Sequence, residues 1–71
     1  MKNEFTIQEL ADCLLVPESM IRKMLNDAGA NIDELKNDPS ELIPRESVIN
    51  LIADHKSAGV GIKLGELLRK G

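Results

Sequence analysis

The segment from Thr6 to Leu25, TIQELADCLLVPESMIRKML, constrains the fold of this 71-residue chain more than any other. Thr6 followed three residues later by Glu9 has the form of a capping box, in which a hydroxyl and a carboxylate satisfy backbone donors left orphaned at a helix start. A first helix therefore begins at Thr6. Along it Ile7, Leu10, Ala11 and Leu14 recur at helical spacing as one apolar stripe, with Gln8, Glu9 and Asp12 on the other side. Val16-Pro17 ends this run, because proline pushes the preceding residue out of helical geometry yet suits the first turn of a new helix. A second helix starts near Pro17. On it Met20, Ile21, Met24, Leu25 and Ala28 share a face, and Gly29 supplies a left-handed stop.

The opposite face of the second helix carries the functional interest. With each residue turned roughly 100° from the last, Ser19, Arg22, Lys23 and Asn26 cluster away from the apolar stripe, and Glu18 lies at their edge. Arginine grips a guanine edge or a phosphate through two parallel bonds, asparagine pairs with adenine, and serine or lysine bonds phosphate oxygens. These four residues are the candidates for contacts in a DNA groove. The plainer alternative is that any surface helix is polar on its outer side.

Taken together, T-I-x-E-L-A-x-x-L-x-V-P-x-x-x-I-R-K-M-L resembles the helix-turn-helix of small MerR-like and phage excisionase proteins. The resemblance implies that Ala11 sits where the two helices approach closely and that Ile21 anchors the second helix. It also implies a positive φ at the residue before Val16, where that family usually has glycine and this chain has Leu15. In the excisionase pattern a short β wing follows, and then a strand leads into a further helix; Glu41 to Val48 has that strand-to-helix look. The corresponding wing segment, Ala30 to Ser40, holds Asp33, Glu34 and Asp38 against Lys36, an acidic balance that repels phosphate. The order LADCLLVPESMIRKMLNDAGANI is also similar to the small N-terminal domain of bacterial translation initiation factor two, whose helix-turn-helix-like core does not read DNA. Both resemblances imply the same packing, and fold alone does not fix function.

The length suits one domain near the lower limit for a self-supporting core. Phe5 is the only aromatic residue, so no platform exists for stacking single-stranded bases. The net charge of −3 opposes DNA binding, which is built largely on neutralising phosphates, unless cations gather on one side. Arg45, Lys63, Arg69 and Lys70 are the candidates for phosphate contacts. With so few cations, useful affinity requires a dimer, cooperative neighbours or a partner protein. No apolar run approaches membrane-spanning length and the first residues lack a secretory pattern, so the expectation is a cytoplasmic protein with no membrane partner. Cys13 stands alone, which excludes an intrachain disulfide and a cysteine-based zinc cluster. His55 is the single histidine and reads as structural. No Ser/His/Asp constellation or paired carboxylate is evident, so neither catalysis nor a cofactor or metal is expected.

The expected fold is mostly α: a compact helix-turn-helix domain of three to four helices, with room for a vestigial β wing between the second and third. The motif spans 6–29, a connector 30–43, a third helix 44–56, a hinge 57–61 around Gly59-Val60-Gly61, and a C-terminal helix 62–70. On that last helix Leu64, Leu67 and Leu68 form an apolar side that needs a surface: the chain's own core, a second copy, or another protein. The expected function is a small sequence-specific DNA-binding protein, a transcriptional regulator or excisionase-like recombination accessory of phage or plasmid type, acting on double-stranded DNA by site occupancy. The alternative is a protein-interaction adaptor on the same core that does not bind DNA.

Overall fold

The computed structural model describes residues 3–33, 35–55 and 57–70. The fold is mostly α with a small β element. In chain order it comprises β1 (Glu4–Thr6), α1 (Ile7–Leu14), α2 (Glu18–Asp27), β2 (Leu42–Pro44), α3 (Arg45–Asp54) and α4 (Ala58–Lys70).

The capping box at the start of α1 is complete. Thr6 Oγ1 accepts from the Glu9 amide at 3.0 Å, and the Glu9 carboxylate accepts from the Thr6 amide at 3.0 Å. Two further orphan donors of the first turn find carbonyls far along the chain: the Ile7 amide donates to Glu41 and the Gln8 amide to Pro39, at 3.1 and 3.0 Å. At its other end α1 closes through Leu15 in the left-handed region, with φ 57° and ψ 45°, and the Val16 amide donates back to the Ala11 carbonyl. The chain thus holds the positive φ with a leucine, at a cost of about 1 kcal/mol relative to glycine. That leucine is 81% exposed, so its burial within the chain does not offset the strain.

Pro17 caps α2, and its carbonyl accepts from Met20 and Ile21. The C-terminus of α2 forms a Schellman closure. Gly29, at φ 89°, donates to Asn26, and Ala30 donates to Leu25.

β1 and β2 pair antiparallel, with Phe5 opposite Ile43. Both side chains are wholly buried, so this short ladder contributes core as well as hydrogen bonds. A wing hairpin between α2 and α3 is absent among the described residues; β2 pairs instead with the strand that precedes α1. α3 ends at Asp54 with His55 as its cap, short of the expected Lys56, which lies outside the described residues.

The expected hinge 57–61 is corrected. α4 begins at Ala58, so Gly59, Val60 and Gly61 belong to its first turns, and the Gly61 amide donates to the Ser57 carbonyl. Tertiary packing overrides the glycine propensity, because Val60, Leu64 and Leu68 recur every four residues and tie the helix to the core.

Every element supplies that core: Phe5 from β1, Ile7, Leu10, Ala11 and Leu14 from α1, Ile21 and Leu25 from α2, Ile43 from β2, Val48 and Leu51 from α3, and Leu64 and Leu68 from α4. Leu64 and Leu68 are therefore not an outward interaction surface. Leu67 remains half-buried at the margin.

Candidate functional site

α2 presents three different environments around its axis. Ile21 and Leu25 enter the core, Met20 and Met24 border the corner where α3 meets α4, and the outermost strip carries Ser19 and Lys23, both exposed. Glu18 and Asp27, also exposed, flank that strip. The packing of α1 and α2 leaves this strip uncovered by the rest of the described chain.

Arg22 does not belong to the outer strip. It is only 2% exposed, turned toward the segment that joins α2 to β2. One guanidinium nitrogen donates to the Glu41 carboxylate at 2.5 Å and to the Asp33 carbonyl at 3.3 Å, and the other donates to the Asp38 carbonyl at 2.8 Å. Lys36 adds a looser pairing with Glu41 at 3.9 Å. The fork geometry of arginine suits this task, since a single planar group fastens three points of an irregular segment. Its placement corrects the expectation that Arg22 faces a DNA groove, because a donor set already committed inside the protein is not free to read a base.

Asn26 has a similar assignment. Its amide nitrogen donates to the Ile32 carbonyl at 2.6 Å while its oxygen accepts from the Ile32 amide, closing a two-bond ring against the backbone. A side-chain amide paired in this way mimics a strand partner. Thus Arg22 and Asn26, one turn apart, hold the connector along the flank of α2. The connector's own bends are tied by Asp33 accepting from Leu35 and by Asp38 accepting from Ser40. Glu34, counted among the acids of this segment, lies outside the described residues. The acidity of the stretch was no signal for this clamp, because Arg22 meets the backbone carbonyls of Asp33 and Asp38 and a carboxylate only at Glu41.

Three of the four phosphate-contact candidates lie on α4, and the fourth is bonded to it. Arg45 is half-buried and donates to the Leu68 carbonyl at 3.2 Å, stitching the start of α3 to the end of α4. Lys63, Arg69 and Lys70 are exposed on α4. Arg69 and Lys70 lie in its last turn, where positive charge complements the helix dipole.

Cys13 lies on the side of α1 that faces α4, its thiol directed at the Lys63 carbonyl at 3.3 Å. Burial pushes its pKa above the ordinary thiol value, the nearby Lys63 charge working against that shift. His55 is exposed beside Met20 and Met24. Among the described residues no three His, Cys, Asp or Glu side chains gather as a metal-binding group, and no helix is long and apolar enough to cross a membrane. No protein-family model, curated protein or solved structure matches this chain.

Proposed function

We propose that the chain is a helix-turn-helix DNA-binding module in which the outer strip of α2 enters the major groove. The observation that carries this reading is the tight α1-to-α2 turn, with Leu15 in a left-handed backbone, together with the exposure of Ser19 and Lys23 on the second helix. On this reading Ser19 and Lys23 make the contacts, Arg22 and Asn26 are positioning residues that fix the connector beside them, and Lys63, Arg69 and Lys70 supply phosphate contacts. Sequence-specific regulation or recombination by site occupancy follows as the biological form of that activity.

The test is a mobility shift on a randomised duplex pool at low salt, followed by titration of the selected site with salt. Binding should fall steeply as salt rises, and Lys23→Ala should weaken it and lower the salt slope by about 1. Helical circular dichroism should be unchanged in that variant. Retained affinity and slope in Lys23→Ala would sink the assignment.

A second reading, a protein-interaction adaptor on the same core, is favoured by one specific observation. With Arg22 buried, the exposed side of α2 holds Lys23 against Glu18 and Asp27, so the strip is not electropositive. Absence of any shift at low salt favours this second reading.

A further inference from the structure

Met20 departs from the side of α2 that its spacing assigns to it. By periodicity it belongs to the apolar stripe with Ile21, Met24 and Leu25, yet it is 45% exposed, whereas Ile21 and Leu25 are wholly buried. It sits in the first turn of α2, next to Ser19 and three residues before Lys23, so on the helix surface it adjoins both. Met20 and Lys23 also line one shallow recess together. DNA-binding helix-turn-helix units bring the N-terminal residues of their second helix to base edges. With Arg22 and Asn26 committed to the connector, the exposed side chains of that half of α2 are Glu18, Ser19, Met20 and Lys23, of which Met20 alone is apolar.

From this placement we infer that Met20 is a specificity-determining residue, its thioether end packed on the methyl group of a thymine in the major groove with Lys23 beside it. The inference rests on the DNA-binding reading proposed above. Among the base-edge features of the major groove, the thymine methyl is the apolar one, so it is the feature that gains from a partner of this kind. Charge points the same way. Asp27 and Asp54, with His55 and Met24, complete the recess that Met20 and Lys23 share, and Glu18 opens the helix. These carboxylates repel a phosphate, but they do not oppose an uncharged methyl group. The flexible, polarisable methionine side chain adapts to such a contact without a preformed pocket.

The test uses the full chain and the duplex selected from the randomised pool, with each thymine replaced in turn by uracil, which removes the methyl group and nothing else. One such replacement should weaken wild-type binding about fourfold, the worth of one buried methyl group. Met20→Ala should bind the thymine duplex less tightly and should not distinguish it from that uracil duplex, a coupling that a merely structural loss would not produce. Met20→Leu, which keeps an apolar end, should still distinguish the two. If no duplex is bound, the DNA-binding reading fails and this inference falls with it. If a duplex is bound but no uracil replacement weakens it, or if Met20→Ala senses the replacement as the wild type does, the inference alone is overturned.

Discussion

Asp38 shows how a single residue sets local order. Its carboxylate accepts from the Ser40 hydroxyl at 2.6 Å and the Ser40 amide at 3.0 Å, and these two bonds, the side-chain one first, hold its pKa below the ordinary aspartate value. A folded-state pKa that is depressed favours the folded state above the ordinary value, and that contribution disappears as pH falls through the lowered one. Within that window the unfolded chain binds more protons, so stability rises with pH. An NMR titration of the Asp38 carboxyl should place its midpoint below that of a free aspartate, and Ser40→Ala should move it upward; an unmoved midpoint would show that Ser40 is not the cause. Arg22 marks the limit of residue-level reading from sequence. Helical periodicity placed it on the outer side, and relative to α2 alone that was reasonable. Its acceptors come from Asp33, Asp38 and Glu41, which no helical wheel displays.

At the scale of elements, the connector is the least regular part of the chain and is nevertheless pinned at both edges. Arg22 and Asn26 hold it to α2, while Pro39 and Glu41 give their carbonyls to the first turn of α1. Removing the guanidinium leaves Glu41 without its close partner and two carbonyls with one donor fewer. Arg22→Ala should therefore cost about 3 kcal/mol, the lower part of the range for breaking a buried pair, since Glu41 retains some contact with water. Urea unfolding measures that loss, and amide exchange at Ile7 and Gln8 should accelerate with it. The helical elements were legible because caps and apolar stripes are local signals: Thr6 with Glu9, Pro17, and Gly29 act within one or two turns. The low helix propensity of Gly59 and Gly61 hides the start of α4 in the sequence, whereas the contacts of Val60, Leu64 and Leu68 with other elements decide it. β1 offered no alternation to read, having three residues, and only its pairing with Ile43 reveals Phe5 as core.

For the whole molecule, Phe5 has a disproportionate share. It is the only aromatic side chain, fully buried, and it comes from a strand that, among the described residues, pairs with β2 alone. Phe5→Ala should destabilise by about 3–5 kcal/mol, enough to leave a domain of this size substantially unfolded at physiological temperature. Loss of cooperative thermal unfolding by circular dichroism would register it; a near-wild-type melting curve would show that the core closes without β1. The candidate site was less legible than the fold for a related reason. Exposure depends on how all the elements assemble, so Ser19 and Lys23 could not be separated from Arg22 and Asn26 on sequence pattern alone. The carbonyls that Pro39 and Glu41 lend to the start of α1 have a bearing on modularity. The first helix is finished by atoms that arrive only after the second helix and the connector have been threaded back to it. The two-helix unit is thus not a transplantable part: grafted into another scaffold without its return segment, it would carry an incomplete helix end with it.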